Sequence, residues 1–383
     1  MNTQLTLAHI MERFLPTYET GHALNREQSK AIGSMTRCRT SALGGQRLAC
    51  NHCPYEHVQY HSCRNRHCPQ CQYRATDQWR EKQCAQVLPV PYFHLVFTLP
   101  HELNGWAQLH PDVLYRLLFQ GAWETLKCFG EDPKRLDGQL GMTAVLHTWG
   151  QTLTQHIHLH CLIPGGALSQ DGQQWHRARS TYLFPVKALS RYFRGKFVSL
   201  LRQAWHKHQL HRIDTAQQVN TILDQLMAKD WVVYSKNTCQ HAETVVRYLS
   251  QYTHRIAISN TRLLAVDSKE VCFSWKDYAD QGKRKVMTLK GEEFVRRFLQ
   301  HILPSGFMRI RHYGFMANCY RKVKLALIHQ CLKVKDSVGE TTRLINQAVE
   351  QVVTIKLATP FTCPTCKAGL MIVKEEIPRF RWR

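Results

Sequence analysis

The sequence has 383 residues and no long apolar run. Its strongest, Tyr92–Leu99, falls far short of the about 20 residues a bilayer-spanning helix needs, so no membrane anchor is expected. The opening residues, MNTQLTLAHIMERF, lack the basic start and extended apolar stretch of a secretory leader. An exported chain is therefore not expected, and the reducing cytoplasm is the expected compartment. Internal repeats and low-complexity tracts are missing, which excludes a solenoid and a disordered scaffold. Acidic residues are few: 28 Asp and Glu stand against 51 Lys and Arg, a net charge of +23. Such a surplus has no role in a hydrolase of small molecules, and it favours a polyanionic partner. Charge alone does not separate DNA from RNA or from an anionic membrane surface.

What is present begins with a 44% hydrophobic content, enough for packed cores, and a length that suits two or three domains. The 15 cysteines are clustered: Cys50, Cys53, Cys63, Cys68 and Cys71 share one short stretch, and Cys363 and Cys366 form a late pair. Cys50-x2-Cys53, 14 further residues and Cys68-x2-Cys71 approach a four-cysteine zinc pattern, in which each C-x-x-C knuckle offers two thiolates to one tetrahedral ion. These four are the expected zinc ligands. Cys63, His52, His57, His61 and His67 crowd the same module, and any of them could replace a cysteine or serve a second ion. Arg64 and Arg66 would sit on the metal-stiffened loop, suited to phosphate contact or simply a solvated face. Cys363 and Cys366 could close a site with Cys319, Cys331 or a histidine, or form a turn without metal.

Periodicity predicts helices up to about Gly44, one of them capped by Asn25, and a polar helix over Thr76–Val87. From Tyr92 the pattern turns mixed. Strands are expected at 92–100, 142–150, 156–163 and 231–236, and helices at 113–129, 189–205 and 242–252. A meander is expected from RIAISN, RLLAVD, EVCFSWKDY and RKVMTLK, followed by a helix over Glu292–Leu303. The fold class is α+β with a central antiparallel sheet. Three regions are expected: helices and a zinc module over 1–90, a catalytic domain over 91–316, and a basic, helical C-terminal region over 317–383.

Two constellations carry chemistry. In Gln155-His-Ile-His-Leu-His160 the histidines fall on one face of a strand and Ile157 and Leu159 on the other. If strand 142–150 returns as strand 156–163 through a turn centred between Thr152 and Leu153, His147 lies directly opposite His158. His147, His158 and His160 would then converge on one metal ion and leave positions open for substrate. Alternatively the strand is polar and solvent-facing. Downstream, Tyr248 and Tyr252 share one helical face. Tyrosine can attack a phosphodiester and conserve the bond energy as phosphotyrosine, given a metal to assist it. Two core aromatics at helical spacing are the alternative. Arg247, Arg255, Arg309 and Arg311 complete the expected DNA contacts, and Trp149 or Tyr313 could stack unpaired bases.

Histidine-hydrophobic-histidine with a downstream tyrosine pair resembles the HUH endonuclease superfamily. Within it, the chain resembles the insertion-sequence-91-like bacterial transposases. The resemblance spans nearly the whole chain and rests on CRNRHCPQCQ (63–72), HLVFTLPHELN (94–104), LHTWGQTLTQHIHLHCLIPGGAL (146–168), WVVYSK (231–236), RYLSQYTHRIAISNTRL (247–263) and RIRHYGFMAN (309–318). It implies an HUH-type catalytic domain that cleaves and transfers single-stranded DNA in rolling-circle transposition. By carry-over, His158 and His160 bind Mg²⁺ or Mn²⁺, His147 matches the histidine preceding the pair in relaxase-type members, and Tyr248 and Tyr252 are the nucleophiles. The break leaves a 5′-phosphotyrosine and a free 3′-OH. Transposon ends and target DNA are the implied partners, at the bacterial nucleoid. His156 departs from the two-histidine pattern by making a run of three. Two rivals share these residues: a non-catalytic zinc-finger DNA-binding protein descended from a transposase, and a replication initiator or relaxase with the same chemistry.

Overall fold

The computed structural model of the chain describes residues 5–71, 87–178, 182–213, 215–239, 256–333 and 361–380, without the side chains of 237–239. Its centre is a five-stranded sheet in the order β12-β4-β5-β3-β8, antiparallel throughout: β3 (Tyr92–Thr98), β4 (Gly141–Trp149), β5 (Gln155–Pro164), β8 (Val233–Cys239) and β12 (Ile310–Gly314). Alternation sorts the side chains of the three middle strands. Phe93, Leu95, Phe97, Ala144, Leu146, Ile157, Leu159 and Cys161 point to one face, where they join a large apolar core.

That core is completed by α4 (Pro111–Glu131), α5 (Val186–His206) and α6 (Ala216–Ala228). The short helix α3 (Asn104–Leu109) precedes α4. The opposite face carries the histidines.

A second core joins the N-terminal helices α1 (Leu7–Glu19) and α2 (Arg26–Thr36) to α7 (Gly291–Leu299). It also includes the sheet of β9 (Leu263–Val266), β10 (Glu270–Asp277) and β11 (Lys283–Lys290). Asn25 caps α2 reciprocally with Gln28, each side chain accepting the other's backbone N–H at 2.9 and 3.0 Å. Trp149 and Leu153, from the β4–β5 hairpin, reach into this second core and connect it to the central sheet. The expected fourth strand of the meander is not formed. Ala257 and Ile258 are buried in irregular chain before β9, so burial rather than pairing explains their apolar character.

The C-terminal region departs from expectation. The helix α8 (Arg321–Lys333) is present, packed on β6 (Gly166–Leu168) and β7 (Trp175–Arg177). The chain nevertheless ends in a strand, β13 (Met371–Ile377), not a helix. β13 pairs antiparallel with β1 (Gly45–Cys50), which also pairs with β2 (Glu56–Tyr60). Its residues MIVKEEI alternate only loosely, and the ladder with β1 decides their conformation. The last strand therefore pairs with the N-terminal module. Among the described residues no helix is long and apolar enough to cross a membrane.

Candidate metal centres and nucleophiles

The β4–β5 register places His147 opposite His158 and Val145 opposite His160, the hairpin alignment anticipated from a turn at Thr152 and Leu153. It shifts only beyond His147, where Trp149 faces Gln155. Leu153 closes the turn in the left-handed region at φ 61° and is fully buried. The tip is held from outside: Arg297 donates to Thr152 O at 3.1 Å, Arg262 donates to Gln151 O, and His301 Nε2 donates to Leu153 O at 3.1 Å. His301, buried, also meets the Thr148 hydroxyl at 3.2 Å, and burial lowers its pKa to about 4.

This frame brings three imidazoles together. The ring centres of His147 lie 5.4 and 4.5 Å from those of His158 and His160, which are 4.8 Å from each other. One nitrogen from each lies within 4.8 Å of the others. His147 is buried, with the Trp149 ring stacked on it at 4.6 Å. His158 Nδ1 sits 2.8 Å from the carbonyl of His156. A carbonyl only accepts, so Nδ1 carries the proton and the lone pair lies at Nε2. His156 stands outside the triangle, 6.0 Å from the ring of His101, and burial lowers its pKa.

A fourth histidine, His94 on β3, was not anticipated. Its Nε2 lies 2.9 Å from His160 Nδ1 and the two rings stack. Burial, with Lys236 nearby, brings its pKa down to about 4. The signal in the sequence was a histidine on the side of a mainly apolar strand that faces the same way as His158 and His160.

Three imidazoles form a nitrogen donor set that, when unprotonated, suits a divalent transition cation. Mg²⁺ prefers oxygen and would depend on phosphate and water for most of its shell. Of the two ions expected, Mn²⁺ fits these residues better.

The four cysteines expected to share one zinc are not brought together. β2 runs back along β1 for its full length, carrying the chain about 17 Å from the Cys50–Cys53 turn before Cys63 is reached. Cys68 and Cys71 instead meet Cys63 and Cys38, the last at the end of α2, and Cys50 and Cys53 meet Cys363 and Cys366. In the first group Cys71 Sγ lies 3.6 Å from both Cys38 Sγ and Cys63 Sγ. That approaches the edge of about 3.8 Å expected for tetrahedral zinc thiolate and is far from the about 2 Å of a disulfide. The backbone N–H groups of Cys63 and Asn65 donate to Cys38 Sγ and Cys63 Sγ. Donation from neighbouring thiols pulls Cys71 down, and hydrogen bonds from Cys63 and Cys68 bring Cys38 to about 7. Cys38 stands alone in the sequence, and no spacing marked it. His67 is no ligand in either group. Its Nε2 accepts from Leu303 N at 3.3 Å, and burial lowers its pKa to about 3.

The arginines divide. Arg64 is exposed, at φ 54° on the cysteine loop. Arg66 turns inward and donates to the carbonyls of Leu303, Pro304 and Phe307, joining the loop to the chain beyond α7. Arg309 is buried, which lowers its pKa to about 10. Arg311 lies over the rings of Phe119 and Phe307, 4.3 and 5.0 Å from their centres. Arg66 is thus taken up by carbonyl partners and Arg309 by burial. Trp149 is buried against His147 and Tyr313 stacks on Trp123, so each has a ring face already occupied. Tyr248, Tyr252, Arg247 and Arg255 lie outside the described residues.

Comparison with known proteins agrees with this architecture. A family described as "Putative transposase" matches residues 141–324, which span the histidine hairpin, and a "Transposase zinc-binding domain" matches residues 10–99, which contain Cys38, Cys63, Cys68 and Cys71. The chain is 39% identical over 376 residues to "Putative transposase y4qJ" of Sinorhizobium fredii (strain NBRC 101917 / NGR234), covering 96% of this chain and 94% of that protein. It is 27% identical over 361 residues to "Transposase for insertion sequence element IS801" of Pseudomonas savastanoi pv. phaseolicola, covering 89% and 82%. No solved structure matches. The chain belongs to the insertion-sequence-91-like transposases, enzymes that act on DNA, and carries their N-terminal zinc-binding domain.

Proposed function

We propose that this transposase cleaves and rejoins single-stranded DNA by the rolling-circle route, at transposon ends and target DNA in the bacterial nucleoid. The convergence of His147, His158 and His160 carries the reading, because three imidazoles on one sheet face serve a metal-assisted phosphoryl transfer better than a binding surface. Tyr248 or Tyr252 attacks phosphorus at an element end. The tyrosine O–P bond forms as the P–O3′ bond breaks. The phenol loses its proton, the 3′ oxygen gains one, and the 5′ end stays on the protein. Later attack by a 3′-OH on this phosphotyrosine releases the tyrosine and joins the strands, conserving the bond energy. A bound divalent cation would polarise the phosphoryl group and offset charge on the leaving 3′ oxygen. His147, His158 and His160 would hold that cation, with Trp149 and His94 fixing two of the rings. Two tyrosines allow one chain to hold two broken strands at once.

Incubation with Mn²⁺ or Mg²⁺ and single-stranded DNA bearing an element end should give an adduct that survives denaturant and carries the 5′ side of the break. Chelator should abolish it. His158→Ala or His160→Ala should stop cleavage and spare binding. Tyr248→Phe combined with Tyr252→Phe should remove the adduct, while each single change leaves part of it. An adduct from the double variant would exclude these nucleophiles. DNA binding without any adduct would favour a non-catalytic DNA-binding protein.

A further inference from the structure

We propose that Cys50, Cys53, Cys363 and Cys366 form a second zinc site, separate from the Cys38 group, that clasps the end of the chain onto its N-terminal module. The zinc-binding domain at residues 10–99 already contains a complete set of four thiols and contributes only half of this one. The other half arrives from the far end: Cys53 and Cys363 are 310 positions apart.

Geometry supports an ion over sulfur–sulfur bonds. Cys50 Sγ lies 3.7 Å from Cys366 Sγ, Cys53 Sγ lies 3.7 Å from Cys363 Sγ, and all four sulfurs fall within 4.8 Å of one another. A tetrahedron of thiolates at about 2.3 Å from zinc has edges of about 3.8 Å. A disulfide would need about 2 Å.

Each C-x-x-C knuckle directs a backbone N–H at one of its sulfurs. His52 N donates to Cys50 Sγ and Gly369 N to Cys366 Sγ, both at 3.3 Å, which favours the thiolate form. They are also locked to each other, since Asn51 N donates to Leu370 O at 3.1 Å and Leu370 N donates to Asn51 Oδ1 at 2.8 Å. The fit leaves no room at Gly369, where a Cβ would stand 2.4 Å from Cys50 Sγ.

Among the described residues, the last strand has its ladder with β1 but little side-chain burial. In β13 only Met371 is buried, and the apolar cluster beneath it contains just Leu48, Cys50, Cys363 and Met371 with Cys53, Tyr55 and Cys366 against them. The Arg47–Glu375 ion pair is half-exposed, and such pairs contribute little. A core this small needs a metal or other cross-link to be stable. Closing the clasp makes a loop that contains the whole central sheet.

The test uses the full-length chain expressed with ample zinc. Elemental analysis in a His158→Ala, His160→Ala background, which keeps zinc out of the histidine triad, should find two zinc per chain with the cysteines intact and one after Cys363→Ser with Cys366→Ser. The same double variant should lose its C-terminal segment to limited proteolysis faster than wild type. Gly369→Ala keeps every thiol, and one of its two zinc ions should be held at least about tenfold more weakly against a chelator. In that histidine-substituted background, one zinc with the cysteines intact or two after the cysteine changes would overturn the proposal, as would a mass showing Cys50–Cys366 or Cys53–Cys363 disulfides, or unchanged zinc retention in Gly369→Ala.

Discussion

The tautomers of a few imidazoles decide what the histidine face can do. His158 must place its proton on Nδ1, because its partner there is the carbonyl of His156. In the proposed metal site His160, which meets His94 instead, would carry its proton on Nδ1 and donate it to His94 Nε2, leaving its lone pair on the far nitrogen. His94 is therefore a positioning residue: it orients a ligand without joining the three. Groups in that role commonly change metal affinity by about 10- to 100-fold when lost. His94→Ala should raise the Mn²⁺ concentration for half-maximal adduct formation by that factor, with cleavage restored at saturating Mn²⁺. His94→Gln, which keeps a polar partner, should fall between the two. An unchanged metal dependence in His94→Ala would reduce His94 to a buried packing residue.

Among the elements, a close approach joins α1 to α7 in the second core. A Cβ on Gly291, at the start of α7, would lie 2.1–2.3 Å from the ring of Phe14 on α1. Overpacking of this kind costs about 1–3 kcal/mol. Gly291→Ala should lower the denaturation midpoint accordingly, and Phe14→Leu in the same chain should recover part of the loss. Additive losses in the double variant would show that the two sites do not touch. Elements of this kind differ in how far their sequences disclose them. The β4–β5 hairpin was legible to the register, since alternation fixes the face and a short turn fixes the pairing. Residues 113–129 and 189–205 revealed α4 and α5 through helical spacing. The cysteine partners were not legible. Adjacent C-x-x-C pairs suggested one site, whereas the β1–β2 hairpin separates them and β13 supplies partners from the other end of the chain. Helix α6 escaped notice, although Val219, Leu223 and Leu226 recur at helical spacing within it. Arg66 and Arg309 read as DNA contacts because a sequence does not show that an arginine will turn inward to carbonyls, as Arg66 does, or be buried, as Arg309 is.

For the whole molecule, buried neutral histidines set the response to acid. Burial lowers His301 to about 4, only partly opposed by its hydrogen bond to Leu153 O, and burial with Arg321 nearby lowers His312 to about 4. In an unfolded chain each would titrate near 6.5. Between these values the unfolded state binds protons that the folded state refuses, so the stabilisation is complete above about 6.5 and declines as pH falls toward 4. From pH 7 to pH 5 the loss is about 2 kcal/mol for a fully buried histidine with this shift. His301 belongs to the joint between the central sheet and the second core, because it bonds both Thr148 and Leu153. Acid should therefore loosen the hairpin that carries His147 and His158. Zinc thiolates also weaken in acid, so the useful quantity is a difference between proteins. Urea midpoints of wild type and His301→Gln, each at pH 7 and pH 5, should show the variant less stable at pH 7 but losing about 2 kcal/mol less on acidification. Parallel losses in both proteins would place the acid sensitivity in the cysteine sites and not in this histidine.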